Sequence, residues 1–235
     1  MISNIRILML LPLFFLACSP SEEELVQEGR KRMDAESYEE ATKYLDKALS
    51  LNNTNLVALN MRGVAFYQQE QYDKAVEDFT RYINLDSSNY MPYYNRGNAH
   101  LFAKNYEKAL IDYNRAIKLR PNIADLYINR GTALFELKQF DAAIEDNNFA
   151  IKVSPNNYIP YLNNAKTYIQ VGAFEEAKEF LNNANKLNAE NGEVYYWKGF
   201  IEINTGNEEQ GCAELVKAKN RGFEDASDAL KKFCE

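Results

Sequence analysis

The sequence predicts an all-α solenoid of six helix-turn-helix repeats, wound into a right-handed superhelix and closed by a C-terminal capping helix. Three observations predict this fold class. Small residues recur every 34 positions, aromatic residues recur with the same period, and only 6 prolines and 10 glycines interrupt 235 residues. A fixed period of this length is typical of paired helices, which bury their apolar faces against the neighbouring repeats.

The N-terminal segment is predicted to direct the chain to a membrane. Arg6 is followed by an apolar run over residues 7–17, which matches a secretory signal and is too short to span a bilayer. The run ends in Leu16-Ala17-Cys18 and resembles a bacterial lipobox. This resemblance implies a signal peptide over 1–17, acylation of Cys18 (palmitate included) and a short tether over 18–21. The alternative is an ordinary signal peptide with an incidental cysteine.

Two sets of small residues are expected to mark the crossing of the paired helices A and B in each repeat. The helix A set is Gly29, Gly63, Gly97, Gly131, Ala165 and Gly199, and the helix B set is Ala41, Ala75, Ala109, Ala143, Ala177 and Gly211. A larger side chain there would push the helices apart. Aromatic residues three positions before the second set, at Tyr38, Tyr72, Tyr106, Phe140 and Phe174, are predicted to fill the space between repeats.

These repeats resemble the tetratricopeptide repeat (TPR). The segments Tyr-Tyr-Asn-Arg-Gly at 93–97 and Phe-Asp-Ala-Ala at 140–143 are similar to that family's helix A and to its helix B start. The predicted units are 22–55, 56–89, 90–123, 124–157, 158–191 and 192–225, followed by a capping helix over 226–235. The resemblance implies a non-enzymatic solenoid that binds a protein or peptide.

The capping helix and the two last cysteines are predicted to form one unit. Ala226, Leu230 and Phe233 share one helical face. If this helix folds back on the last repeat, Cys212 and Cys234 come close enough for a disulfide, as expected for an even pair in an exported protein. The alternative is two buried free thiols.

The predicted binding surface is the concave wall formed by the A helices. Asn95, Asn129 and Asn163 are expected to form a row there, beside Asn98, Thr132 and Lys166. Amide side chains both donate and accept hydrogen bonds, so such a row suits the backbone of an extended peptide. The alternative is a row that is solvated or bonded within the array. The wall is more apolar at its ends, through Met61, Val64, Trp197 and Phe200.

Composition argues against other functions. The net charge of −7 disfavours a nucleic-acid partner, and a single histidine, His100, leaves little for metal or acid–base chemistry. We expect no cofactor, no metal and no small-molecule substrate, and we interpret Asn147, in a usually apolar slot, as a packing irregularity. The predicted role is a lipid-anchored scaffold of a bacterial envelope complex, most consistent with the outer membrane. The alternative is a surface-exposed lipoprotein that binds an external protein, suggested by the stretch Ser21-Glu22-Glu23-Glu24.

Overall fold

The computed structural model describes residues 19–235, which form thirteen α-helices and no strand. The predicted signal peptide and Cys18 lie outside the described residues. Within residues 19–235, no helix is both long enough and apolar enough to cross a membrane. The predicted all-α repeat array with a C-terminal helix is confirmed.

Twelve helices form six antiparallel pairs, one pair in each predicted unit. The helices are α1 (Glu22–Asp34), α2 (Tyr38–Leu51), α3 (Leu56–Gln68), α4 (Tyr72–Leu85), α5 (Tyr90–Phe102), α6 (Tyr106–Leu119), α7 (Ala124–Glu136), α8 (Phe140–Val153), α9 (Ile159–Gln170), α10 (Phe174–Leu187), α11 (Gly192–Asn204), α12 (Glu208–Asn220) and α13 (Asp225–Phe233). The odd-numbered helices α1–α11 are the A helices, and the even-numbered helices are the B helices.

Local sequence signals explain where the helices start. Ser21 and Glu24 form a capping box at the start of α1, and the side chains of Asn55, Asn89 and Asn191 accept backbone N–H bonds at the starts of α3, α5 and α11. Such caps satisfy N–H groups that have no partner inside the helix.

The turn from helix A to helix B has the same backbone conformation in all six units. Its second residue has a positive φ of 55–89°, and these residues are Glu36, Glu70, Lys104, Lys138, Gly172 and Gly206. The sequence predicts this conformation only for the two glycines, because L side chains disfavour it. Shared packing of the flanking helices imposes it on the other four.

The small residues lie where helices A and B cross, as predicted. A Cβ atom added to Gly63 would lie 2.7 Å from Cε1 of Phe79, and one added to Gly97 would lie 2.8 Å from Cε1 of Tyr113. Both rings are fully buried. At Gly131 the nearest atom, the carbonyl oxygen of Ala143, would lie 3.4 Å away, so this crossing is looser.

This difference predicts opposite effects for the same substitution. Gly131→Ala should leave the stability unchanged or raise it by up to about 1 kcal/mol, because alanine favours a helix. Gly63→Ala should lower the free energy of unfolding by about 1 kcal/mol, because overpacking against the Phe79 ring exceeds that gain. Urea unfolding of the two variants measures the difference, and equal midpoints would show that the ring moves aside freely.

The aromatic residues that recur every 34 positions pack both within and between units. Tyr72 contacts Tyr67 of its own unit, with ring centroids 5.8 Å apart, and Phe102 of the next unit at 6.2 Å. Phe140 contacts Phe135 of its own unit at 5.7 Å. The rings predicted to fill the space between units therefore also close the turn between their own two helices.

A ladder of buried ion pairs, which the sequence analysis missed, connects helices A and B in units two to four. Arg62 pairs with Asp78 at 2.6 Å, Arg96 with Asp112 at 2.7 Å, and Arg130 with Asp146 at 2.6 Å. The aspartate side chains are 2–7% exposed.

Each arginine of this ladder also contacts the preceding B helix. The acceptors there are Asp46 for the first arginine, the Thr80 hydroxyl for the second and Asn114 for the third. One guanidinium therefore joins three helices, and its planar set of five donors suits this geometry. The ladder ends at unit five, where Asn164 occupies the arginine register and donates to Asn148 at 2.8 Å.

Asn147 is a polar residue in an otherwise apolar slot, as the sequence analysis indicates. The equivalent residues of the other units are Leu45, Phe79, Tyr113, Leu181 and Leu215. Asn147 is 1% exposed, and its Oδ1 has no hydrogen-bond partner among the described residues. A buried unpaired oxygen costs free energy, so this slot is a weak point of the core.

Replacing that oxygen with an apolar side chain should strengthen the core. Asn147→Leu is expected to raise the free energy of unfolding by about 1–3 kcal/mol, because it removes an unpaired buried polar group. The reverse change in the next unit, Leu181→Asn, should be destabilising. Thermal melts of both variants provide the test. A loss of stability in Asn147→Leu would mean that the Asn147 amide makes a stabilising hydrogen bond.

The capping helix packs on the last repeat through the face that contains Ala226 and Leu230, which also includes Ala229. Ala226 and Ala229 are buried, Leu230 is half-buried, and Phe233 is 38% exposed. The helix is nine residues long. Cys212 of α12 and Cys234 are joined by a disulfide, with Cα atoms 5.8 Å apart.

Candidate functional site

The A helices form the inner side of the array. Successive A helices contact one another all along it, α1 with α3, α3 with α5 and so on to α9 with α11, whereas no comparable contact joins successive B helices in residues 19–235. Helices that approach more closely line the inside of a curved array. The face predicted for binding is therefore the concave one.

Two of the three asparagines of the predicted row, Asn95 and Asn129, are bonded within the array through their side chains. The side-chain amide of Asn95 donates to Oδ1 of Asn60 at 3.1 Å. That of Asn129 donates to Oδ1 of Asn98 at 2.9 Å and to the Tyr94 hydroxyl at 3.2 Å. Both hydrogens of the Asn129 amide are thereby used.

A buried tyrosine extends this network. The Tyr113 hydroxyl, on a fully buried side chain, donates to Oδ1 of Asn98 at 2.8 Å. Burial raises the pKa of Tyr113 and of Tyr94, so both hydroxyls stay protonated at neutral pH. The amides of Asn98 and Asn129 thus hold neighbouring units in register. Contact of this row with a peptide stays a prediction, and a substitution at Asn129 would disturb packing as well as any ligand.

The remaining predicted positions differ in what they offer a ligand. The Thr132 hydroxyl donates to its own helix, to the carbonyl of Ile128 at 3.0 Å. Asn163 is half-buried, and its backbone carbonyl accepts a hydrogen bond from the Thr167 hydroxyl at 2.8 Å. Lys166 pairs with Glu193 of the next A helix at 2.9 Å. Lys166 therefore joins units five and six.

The clearest concave site is a groove that crosses the A helices of units one to three. It has a volume of about 450 Å³ and is lined by Arg30, Met33, Asp34, Leu56, Val57, Asn60, Met61, Tyr82, Asn89, Met91 and Pro92. Val57 is 48% and Met91 is 44% exposed. Tyr82 stands where all five other units have alanine at the same register, so its ring enlarges the apolar lining.

The groove combines adaptable apolar side chains with polar residues. All three methionines of the described chain, Met33, Met61 and Met91, line it. Methionine is flexible and polarizable, which suits surfaces that accept varied apolar side chains. Arg30 and Asp34 contribute one charge of each sign. The sequence analysis recognised Met61 as part of an apolar end of the wall, and missed Met33, Met91 and Tyr82.

A second recess, which the sequence analysis did not anticipate, contains charged residues of the last two units. Lys178, Lys198, Glu202 and Glu214 line it, and Lys178 pairs with Glu202 at 3.1 Å. Desolvation lowers the pKa of Lys198, although Glu214 raises it in part. In the described part of the chain no group of three or more His, Cys, Asp and Glu side chains is arranged to hold a metal ion.

Comparison with protein families identifies the repeats. Models of the tetratricopeptide repeat match residues 91–123, 124–157 and 160–191, and a model of the TPR repeat matches 63–101. Together these matches cover more than half of the chain. No curated protein matches the sequence significantly.

Solved structures share the architecture at low sequence identity. MamA from Desulfovibrio magneticus RS-1 is 21% identical, with a TM-score of 0.68 over 72% of this chain and 95% of that one. PilF from Pseudomonas aeruginosa is 17% identical, with a TM-score of 0.73 over 90% and 97%. The Cut9–Hcn1 complex is 17% identical, with a TM-score of 0.77 over 92% of this chain and 43% of that one. At these identities the likeness shows the fold alone.

Proposed function

Because this chain belongs to the tetratricopeptide repeat family, a family of protein-interaction scaffolds, we propose that it binds a partner protein through the groove of α1, α3 and α5. One observation carries this proposal. The groove exposes Val57 and Met91 to solvent on the concave face, at 48% and 44%. Exposed apolar side chains in a concave site mark a surface that gains free energy when a partner covers it.

The groove chemistry indicates what kind of segment it binds. Three methionines and Val57 provide contacts for one or two apolar anchor side chains of the partner. Asn60 and Asn89 provide amide groups beside them, which can bond to backbone or polar side chains. An amphipathic helix or an extended segment with spaced apolar residues has both features.

We propose further that the chain is anchored in the bacterial envelope by lipid on Cys18, on the periplasmic side of the outer membrane. The lipobox-like end of the signal sequence supports the anchor, and two or more acyl chains would hold it stably. Ser21 and Glu24 bond to each other as a capping box. This local role accounts for serine and glutamate there and weakens the case for a surface-export signal.

Metabolic labelling tests the anchor. The wild-type protein should incorporate radioactive palmitate and sediment with membranes, whereas Cys18→Ala should lose the label and be released or left uncleaved. Unchanged membrane sedimentation of Cys18→Ala would contradict the anchor without bearing on the groove.

Crosslinking in cells tests the groove. Met91→Glu should reduce recovery of a specific partner by about tenfold or more, because burying a charge against an apolar anchor is costly. Ile111→Glu is the matched control, since Ile111 is 68% exposed on a B helix and lies outside the groove. Both variants should keep the wild-type melting temperature. Equal recovery of the same partner by Met91→Glu and by the wild type would refute the groove.

A further inference from the structure

The two long edges of the solenoid differ in chemistry. We call one the connection edge, made of the connections between units with the adjoining helix ends, at 50–58, 84–92, 118–126, 152–160 and 186–194. We call the other the turn edge, made of the turns within units, at 32–40, 66–74, 100–108, 134–142, 168–176 and 202–210. Because the paired helices are antiparallel, the two edges lie at opposite ends of the helices.

Exposed aliphatic side chains concentrate on the connection edge. It holds seven of the twelve exposed large hydrophobic residues of the described chain. Val57 and Met91 line the proposed partner groove, and the other five are Leu51, Leu85, Val153, Ile159 and Leu187, at 38–62% exposure. They lie at the ends of B helices and at the start of α9, in four of the five connections, and the connection at 118–126 contributes none. The result is an apolar ridge along one edge instead of scattered surface residues.

Acidic side chains, by contrast, are concentrated on the turn edge. The five connections carry four basic and four acidic side chains, and the start of α1 adds Glu22, Glu23 and Glu24 at the same edge, for a net charge of −3. The turn edge carries five basic and fourteen acidic side chains, for a net charge of −9. The net negative charge of the chain thus resides largely on the turn edge. A negatively charged leaflet therefore repels the turn edge more strongly than the connection edge.

The N-terminus leaves the array at the connection edge. Helix α1 starts at Glu22, whose carboxylate accepts hydrogen bonds from the side-chain amides of Asn52 and Asn55 in the first connection. Only Ser19, Pro20 and Ser21 separate Cys18 from α1, a reach of about 10 Å when extended. A lipid on Cys18 would therefore hold the bilayer close to this edge.

We propose that the connection edge lies against the lipid surface, so that the solenoid sits edge-on to the membrane with its acidic turn edge pointing away. This inference rests on the anchor proposed at Cys18, and it adds an orientation and a second, non-covalent membrane contact. Apolar side chains at a membrane interface bind in proportion to the area they bury, which reinforces an N-terminal lipid. Two of the three glutamates nearest the anchor are already engaged, Glu22 with the asparagines and Glu24 with Ser21.

Lysine footprinting on tethered protein tests the orientation. The mature chain, with its disulfide intact, is coupled through the Cys18 thiol to vesicles of phosphatidylcholine that carry a maleimide lipid. Acetylation is then followed by mass spectrometry at two matched sets of exposed lysines, Lys118, Lys152 and Lys186 on the connection edge and Lys104, Lys108 and Lys138 on the turn edge. Tethering should slow acetylation of the first set by about threefold or more and leave the second unchanged.

Two variants separate lipid contact from mere proximity. Leu51→Gln/Val153→Gln/Leu187→Gln should lose the protection, whereas Ile111→Gln/Val171→Gln/Val216→Gln, which alters equally exposed residues off this edge, should keep it. Equal acetylation of both lysine sets would overturn the proposal, and so would protection that also appears in untethered protein without vesicles, since a second copy would then cover the edge. Chemical tethering replaces the acyl chain, so this result is independent of the palmitate labelling that tests the anchor.

Discussion

Arg96→Met is expected to lower the free energy of unfolding by about 3–5 kcal/mol, because it leaves Asp112 as an uncompensated buried charge. The Asp112 side chain is 3% exposed and accepts two hydrogen bonds from Arg96, at 2.7 and 2.9 Å. His100 lies 4.0 Å from the same carboxylate, and desolvation, with a smaller contribution from the Arg96 charge, lowers the pKa of this imidazole. Urea unfolding measures the loss, and hydrogen exchange in α5 and α6 locates it.

The double variant Arg96→Met/Asp112→Leu is the control for this prediction. Removing both charges should recover most of the lost stability, because replacing a buried ion pair with apolar side chains is often neutral or stabilising. Unit five has no ion pair at these registers, which are occupied by Asn164 and Phe180. A double variant as unstable as Arg96→Met would mean that the arginine acts mainly through Thr80 and the joining of units.

The sequence predicts the repeats well because their period reports directly on packing. A position that faces a helix crossing in one unit faces it in every unit, so small residues there reveal the helix pairs and their bounds. The arginine–aspartate ladder has the same period and passes through Arg96, in the segment most similar to the family. It was missed because charged residues at regular spacing also occur on solvated faces, and only burial distinguishes the two cases.

The groove could not be predicted in the same way. Met33, Met61 and Met91 occupy three different positions within their repeats, the twelfth, the sixth and the second. Periodicity therefore hides them, and they meet only because successive A helices lie beside one another with an offset. The asparagine row shows a second limit of prediction from sequence spacing. Its shared face follows from the spacing, whereas the bond from Asn129 to Asn98 depends on the distance between helices.

Removing the disulfide between Cys212 and Cys234 is the second change with a large expected effect on stability. The variant Cys212→Ser/Cys234→Ser should destabilise α13 by about 3 kcal/mol, since the cysteine cross-link closes a loop of 22 residues. Helix α13 has little else to hold it, because Ala226 and Ala229 are its only buried side chains.

Hydrogen exchange distinguishes a local from a global effect of this change. Amides of α13 should exchange about 100-fold faster in the variant, as expected for 3 kcal/mol, whereas amides of α6 should be unchanged, because a repeat array transmits stability mainly between neighbouring units. Wild-type protein treated with a reductant should reproduce the result. Unchanged exchange in α13 would mean that packing on α12 alone holds the cap. Faster exchange throughout would mean instead that the cap is required to keep the whole solenoid folded.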